Sequence, residues 1–198
     1  MSVAALLLPT ISCASSTIAP TATSSALHGE VSDPVGDALP VPGVPNPPDL
    51  VHGTVDVASG NITFTIQFAP GTLDRQTTRL TIELDTDLNP STGIPAGQGL
   101  GIDYVVDMWA SPTQALIEKA IPTGACTQSS PCYTTVGTAP LSLTTDGMQA
   151  TVPLSLLGNG DGRLAFRVFA YAYPQLAGST TMISDVMPDL TLPPGRVQ

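Results

Sequence analysis

Hydrophobic and polar residues alternate over several short stretches of the chain. Ile62, Phe64, Ile66 and Phe68 occupy every second position, and Thr or Gln fills the positions between them. Residues 79–84 show the same period. This two-residue period is typical of a β-strand that buries one face and exposes the other. Further strands are predicted at residues 54–58, 102–109, 114–119, 133–137, 141–145 and 148–153.

The longest predicted strand, residues 163–173, is apolar on both faces, so we expect it to be central in its sheet. Asp146 and Gly147 predict a hairpin turn, because this residue pair accepts positive φ angles. One helical turn is predicted at residues 155–157, and no segment shows a long helical period. Short strands at this spacing predict an all-β fold, an antiparallel, jelly-roll-like β-sandwich of about eight to ten strands.

The chain divides into three segments. Residues 1–26 begin with a short apolar run followed by small residues, which predicts an export signal. Lipid attachment at Cys13 is an alternative for this segment. Residues 27–53 are rich in proline and are predicted to run extended, whereas residues 54–198 form the β-sandwich domain. The export signal predicts a secreted or cell-surface protein. No other segment is long and apolar enough to span a bilayer.

Composition narrows the class of partner. Charged residues make up 11% of the chain, and the formal net charge is -10. Such a surface repels phosphate backbones and anionic lipid headgroups, so nucleic acid is not an expected partner. The abundance of glycine (18) and proline (20) agrees with many short strands joined by turns.

Two cysteines, Cys126 and Cys132, flank a short polar loop. In an oxidising compartment they are predicted to form a local disulfide that closes this loop. A metal site is the less favoured alternative, because neither a second cysteine pair nor a nearby histidine completes it.

The most distinctive chemistry lies in the acidic loop, residues 85–93, which follows a predicted strand. Asp85, Asp87 and Asn89 are two residues apart, so their oxygens can converge on one hard cation such as calcium. Asp103 can reach the same loop, because a short Gly-rich segment brings the chain back. Ordinary turns that bind no metal explain the spacing equally well. The candidate calcium ligands are Asp85, Asp87, Asn89, Thr92 and Asp103.

Two further acidic pairs lie in turn-like segments, Asp33 with Asp37 and Asp185 with Asp189. Aspartate is short and turn-forming, and it suits both turns and oxygen-rich cation loops. Solvated turns are the expectation for both pairs.

Several short motifs follow one another in a recognisable order. They lie at residues 33–37, 48–51, 62–68, 84–93, 101–104, 152–158 and 185–189. This order resembles secreted bacterial β-sandwich domains related to the DOMON and family 9 carbohydrate-binding module group. The resemblance implies a sandwich that binds sugars or, in some branches, haem, often with structural calcium. The chain departs from the sugar-binding members in its single Trp and few other rings, and from the haem-binding members because both histidines, His28 and His52, lie in the Pro-rich segment.

These observations predict a non-catalytic extracellular binding or accessory domain with a structural calcium loop and a glycan as candidate partner. The alternative is a structural surface, filament or matrix subunit that binds another copy of itself through its N-terminal extended segment. No enzyme is predicted, because neither histidine lies beside a nucleophile motif; a glycosidase-like pair of carboxylates is left open. Trp109 and Tyr104 belong either to a ligand platform or to ordinary packing of the sheet.

Overall fold

The computed structural model describes residues 26–109, 113–121, 132–158, 160–173 and 182–198. These residues contain thirteen β-strands and two short 3-10 turns, at Gly97–Gly99 and Leu154–Leu157, and no α-helix occurs among them. The all-β prediction is confirmed, and the predicted count of about eight to ten strands is too low. The strands are β1 (Leu27–Ser32), β2 (Leu50–Ala58), β3 (Asn61–Phe68), β4 (Thr78–Asp85), β5 (Ile94–Ala96), β6 (Leu100–Ile102), β7 (Tyr104–Trp109), β8 (Gln114–Ala120), β9 (Tyr133–Leu143), β10 (Gly147–Pro153), β11 (Leu164–Ala172), β12 (Met182–Met187) and β13 (Gly195–Val197).

Eleven of these strands form one antiparallel sheet. The order is β1-β2-β3-β10-β9-β8-β7-β4-β11-β12, and β13 pairs with β11 beside β12. β5 and β6 form a separate hairpin. The predicted central position of β11 is confirmed, because β4 pairs along one edge of it and β12 and β13 pair along the other.

The sheet curls until its two ends nearly meet. His28 and Gln198 exchange two backbone hydrogen bonds of 3.2 Å, which join β1 to the chain directly after β13. β9 pairs with both β8 and β10, so the two halves of the fold are continuous. The described fold is therefore an all-β, antiparallel sheet that is nearly closed and barrel-like.

The hydrophobic core fills the space that this curled sheet encloses. The residues that alternate in β3, Ile62, Phe64 and Ile66, are fully buried, as the two-residue period predicts. They belong to one cluster with Leu80 of β4 and Phe166 of β11. Burial of these side chains is the main stabilising contribution, at about 1.5–3 kcal/mol for each large apolar residue.

Several predicted elements are confirmed, and others have shifted bounds. The helical turn at residues 155–157 is the 3-10 turn Leu154–Leu157, and a backbone hydrogen bond of 2.9 Å from Thr144 to Gly147 closes the predicted hairpin turn. The two strands predicted at 133–137 and 141–145 are one strand, β9. The strand predicted at 102–109 is interrupted at Asp103, between β6 and β7.

The Pro-rich segment packs on the sheet of its own chain. Its first residues form β1, which pairs with β2 along its whole length. Farther along, the Leu39 N–H donates to the Ser184 carbonyl at 2.7 Å, and Val41 is buried. The segment predicted as an extended entry therefore contributes an end strand to the sheet.

Three predictions fall on residues outside the described ranges. These are the export signal at residues 1–26, of which only Ala26 is described, the lipid attachment at Cys13 and the disulfide of Cys126 with Cys132, since Cys126 is not among the described residues. Each stays a prediction. Among the residues that are described, no helix is long and apolar enough to cross a membrane.

Candidate functional site

The acidic loop follows β4 directly, and the fold brings a distant carboxylate to it. Carboxylate oxygens of Asp85, Asp87 and Asp103 all lie within 4.8 Å of one another. Asp85 is the last residue of β4 and is buried, whereas Asp87 is exposed. Oxygen atoms at this separation can share one hard cation, for which carboxylates are preferred ligands.

The sheet fixes the position of Asp103. Its N–H donates to the Leu84 carbonyl at 2.8 Å, and its own carbonyl accepts from the Ala120 N–H at 2.7 Å, which holds it between β4 and β8. Its carboxylate accepts two hydrogen bonds from Thr86, one from the backbone N–H at 2.9 Å and one from the hydroxyl at 3.1 Å. The sequence argument that Asp103 reaches the loop therefore describes the geometry correctly.

The two remaining predicted ligands take part in turns within the loop. The side-chain oxygen of Asn89 accepts from the Ser91 N–H at 3.1 Å. The Thr92 hydroxyl lies 3.0 Å from the Asp87 carboxylate and 2.7 Å from the Asn89 carbonyl. The structure thus brings Asp85, Asp87 and Asp103 together and places Asn89 and Thr92 in the loop's own hydrogen bonds. Calcium binding by this set stays a prediction.

Electrostatics make this cluster costly without a cation. Burial raises the pKa of Asp85 above its ordinary value, hydrogen bonds from the N–H groups of Gly101 and Asn89 lower it by less, and the charge on Asp103 raises it further. A divalent cation would neutralise this repulsion and favour the charged forms of the carboxylates.

Two glycines allow the acidic loop to lie against β6. Gly93 has φ of 66°, and a Cβ built on it would lie 2.2 Å from the Ile102 carbonyl oxygen. A Cβ on Gly101 would lie 2.4 Å from the Thr92 carbonyl oxygen. Any larger residue would push the loop away from β6, so these two positions determine how closely the loop that carries Asp87 lies against β6.

A cleft of about 440 Å³ opens beside the acidic loop. Its lining includes Asp87, Asp103, Tyr104 and Lys119. The Lys119 ammonium lies 6.0 Å from the centroid of the Tyr104 ring. The ring itself packs into the main core, with 7% of the residue exposed, so Tyr104 is a packing residue. The cleft gives a cation access from solvent to Asp87 and Asp103.

A second candidate surface lies on the outer side of the sheet, where β4, β7 and β11 are adjacent. Arg79, Trp109 and Tyr171 are cross-strand neighbours there. The Arg79 guanidinium lies 4.7 Å from the centroid of Trp109 and 5.7 Å from that of Tyr171, and it donates to the Tyr173 hydroxyl at 3.1 Å. The Trp109 and Tyr173 rings are 5.4 Å apart. We call Arg79, Asp107, Trp109, Tyr171 and Tyr173 the aromatic face.

A buried carboxylate anchors this face. Asp107 is 2% exposed, forms an ion pair with Arg79 and accepts from the Thr81 hydroxyl at 2.6 Å. In the next cross-strand row, burial raises the pKa of Glu83 to about 7, and Arg167 opposes this by less. Arg167 donates instead to the carbonyls of Gly97 (3.3 Å) and Leu192 (2.7 Å), which brings the β5–β6 hairpin over this end of the sheet.

Sequence reasoning found Trp109 but missed its partners. Arg79, Tyr171 and Tyr173 are separated from it by thirty residues or more in the chain. The alternation in β4 places Arg79 on the polar face, but only the order β7-β4-β11 brings the rings together.

Both histidines lie on the paired strands β1 and β2. His28 Nδ1 is 2.7 Å from a carboxylate oxygen of Asp56, and His52 Nδ1 is 3.3 Å from the Ser32 hydroxyl. These contacts join opposite residues of two strands on exposed surface.

No known protein family matches the chain, and no curated protein matches it.

Proposed function

We propose that the protein is a non-catalytic, secreted binding domain that binds carbohydrate through the aromatic face. The observation that carries the proposal is the arrangement of Trp109, Tyr171 and Tyr173 around the ion pair of Arg79 with Asp107. Ligand sites combine apolar and aromatic surface with a few fixed polar groups. Sugar rings need this combination, because their C–H faces stack on aromatic rings while their hydroxyls require hydrogen-bond partners.

The anchoring of the polar groups supports the proposal. Asp107 holds Arg79 by an ion pair and Thr81 by a hydrogen bond, so the guanidinium is positioned before any ligand arrives. Arg79 also lies against two ring faces, which restricts its rotamers. A ligand that bound here would meet side chains already ordered, and would therefore lose less affinity to ordering them.

The acidic loop completes the proposal as a structural calcium site. Asp85, Asp87 and Asp103 come from the end of β4, from the loop and from the position between β6 and β7. A cation held by all three would fix the loop to the sheet. β4 and β7 also carry Arg79 and Asp107, so calcium would steady the strands that present the aromatic face.

The nearly closed sheet is compatible with a flattened, jelly-roll-like sandwich, in which β2 and β3 lie opposite β4 and β11. Core residues from both sides, Val55 and Phe64 with Leu80 and Phe166, share one cluster. The pairing of β1 with β2 of the same chain supports a binding domain over the alternative of a filament or matrix subunit.

A glycan array followed by calorimetry of the positive sugars tests the proposal. Trp109→Ala is expected to weaken binding at least about tenfold, because it removes the apolar area that the ring buries together with about 0.5–1.5 kcal/mol of stacking beyond that area. The matched control is Thr63→Ala, on the outer side of β3, which should leave binding unchanged. A folded protein that binds no sugar, or a Trp109→Ala variant that binds as tightly as the wild type, would contradict the proposal.

A further inference from the structure

A second acidic cluster lies at the seam where the two ends of the curled sheet approach each other. Asp33 follows β1 directly, Asp37 lies in the turn after it, and Asp185 belongs to β12 at the opposite end of the strand order. Carboxylate oxygens of these three residues lie within 4.8 Å of one another. The sequence predicts two separate turns, one with Asp33 and Asp37 and one with Asp185 and Asp189. The fold brings Asp185 next to Asp33 and Asp37.

A fourth carboxylate, Asp49, is buried against the same turn. It immediately precedes β2 and is 5% exposed. One of its oxygens accepts from the Gly36 N–H at 2.8 Å, which holds the carboxylate against the turn between Asp33 and Asp37. Its other oxygen, Oδ1, is buried and has no hydrogen-bond partner within the described ranges.

Asp33 also has a carboxylate oxygen without a hydrogen-bond partner in the described part of the chain. Its Oδ2 is buried and, among the described residues, has no hydrogen-bond partner. A buried carboxylate oxygen without a partner has lost its hydration with nothing in return, which destabilises the fold, and more so when the group is charged. Two such oxygens on carboxylates that adjoin the same turn point to a ligand in the native arrangement.

The charges around the cluster have the same sign. Burial raises the pKa of Asp33 to about 7, and the neighbouring charges of Asp185, Asp37, Asp189 and Asp49 raise it as well. Burial also raises the pKa of Asp185 to about 6, while the backbone N–H groups of Leu50 and Val186 lower it by less. A cation that takes oxygen ligands would relieve this repulsion.

We propose that one hard divalent cation of the calcium class is bound by Asp33, Asp37, Asp49 and Asp185. The cation would join β2 to β12 at the seam. The site shares no residue with the acidic loop and stands independently of the proposed function. Hard cations of this class take about six to eight oxygen ligands, and acidic side chains with backbone carbonyls supply them.

The contacts around the cluster show which parts of the fold the cation would hold together. The Asp185 carboxylate accepts from the Leu50 N–H at 2.6 Å, so it already joins β12 to the first residue of β2. The Leu39 N–H donates to the Ser184 carbonyl at 2.7 Å, which lays the Pro-rich segment along β12. A cation at this point would tie the segment after β1, the start of β2 and β12 together, and so close the sheet.

The test is calcium titration of the full-length, chelator-treated protein at pH 7.5, by calorimetry and by hydrogen exchange. The wild type is expected to bind calcium with protection of the amides of residues 35–50 and 182–187. Asp33→Asn combined with Asp49→Asn should remove one calcium per chain and abolish that protection. Asp87→Asn combined with Asp103→Asn, in the acidic loop, should leave the protection in place.

Each outcome decides between the sites. Protection of residues 35–50 that survives Asp33→Asn with Asp49→Asn, or that disappears with Asp87→Asn and Asp103→Asn, overturns the seam site. Absence of calcium-dependent protection in the wild type overturns it without reference to any variant. Loss of calcium only in the seam variant would contradict the acidic-loop site and leave the seam site supported. Asparagine keeps the size of aspartate and mimics its uncharged form, so the variants are expected to fold.

Discussion

Arg79 of β4 and Asp107 of β7 form an ion pair on the outer side of the sheet. The Asp107 side chain is 3% exposed and that of Arg79 is 25% exposed, so solvent screens the pair only weakly. The same carboxylate accepts from the Thr81 hydroxyl, and the guanidinium also donates to the Tyr173 hydroxyl. The ion pair and its hydrogen bonds therefore link β4 and β7 to the residue directly after β11.

Removing the cation of this pair is expected to destabilise the fold. Arg79→Ala leaves Asp107 buried without its counter-charge, and breaking a buried pair in this way costs about 3–5 kcal/mol. Arg79 is partly exposed, so we expect about 2–3 kcal/mol in the free energy of unfolding, measured by urea denaturation. The control is Arg163→Ala, which breaks the exposed pair with Asp161 and should cost below about 1 kcal/mol. Equal effects of the two substitutions would refute the structural role of Asp107.

The strands that alternate strongly could be predicted from sequence, whereas the strands at the seam could not. The alternation of Phe64 and Ile66 with polar residues predicts β3, because both side chains face the core. β1 contains Gly29 on its buried side, since a Cβ there would lie 2.6 Å from the Arg196 carbonyl oxygen. Close backbone approach requires a residue that carries no hydrophobic signal. β13 has only three residues, too few to show any period.

The acidic loop was predictable for a different reason. Asp85 and Asp87 are local in sequence, and a short return segment limits how far Asp103 can lie from them. The seam cluster has no such limit, because Asp185 is far from Asp33 in the chain and only closure of the sheet brings them together. Sites made by local spacing are accessible to sequence reasoning, and sites made by topology are not.

Glu83 is expected to make stability fall as pH rises. Burial raises its pKa from 4.5 to about 7 in the fold, so between these values the folded state holds a proton that the unfolded chain releases. Stability from this group is complete below pH 4.5 and is lost as pH rises through about 7, at a slope of about 1.4 kcal/mol per pH unit. Urea denaturation in chelator from pH 4.5 to 8 should therefore show a shallower fall for Glu83→Gln than for the wild type.

The control for this pH dependence is Asp74→Asn, at an exposed position before β4. It makes the same change from a carboxylate to an amide in contact with solvent, so its pH profile should follow that of the wild type. Parallel profiles of Glu83→Gln and the wild type would show that folding does not raise the pKa of Glu83.

Gly93 is expected to determine whether the acidic loop can lie on β6. Gly93→Ala combines a positive φ with a Cβ that would lie 2.2 Å from the Ile102 carbonyl oxygen. Strain of the backbone costs about 1–3 kcal/mol, and the clash adds to it. The control is Gly97→Ala, where a Cβ meets nothing within 4 Å and φ is not in the positive range. We expect a loss of at least about 2 kcal/mol for Gly93→Ala and little change for Gly97→Ala in thermal unfolding.

The effect of Asp103→Asn on the stability of the fold is expected to change sign when calcium is added. In chelator, Asp103→Asn removes a charge that raises the pKa of Asp85, and the asparagine oxygen can still accept from Thr86. The variant should then be at least as stable as the wild type. In calcium at about 100 times the dissociation constant, a ligand bound only by the folded state adds about 2.7 kcal/mol, and the variant forfeits much of this. Thermal unfolding of both proteins in both buffers measures this reversal in their order of stability. The control is Asp161→Asn, which changes an exposed carboxylate. A variant that stays at least as stable as the wild type in calcium would show that the acidic loop is held by its turns alone.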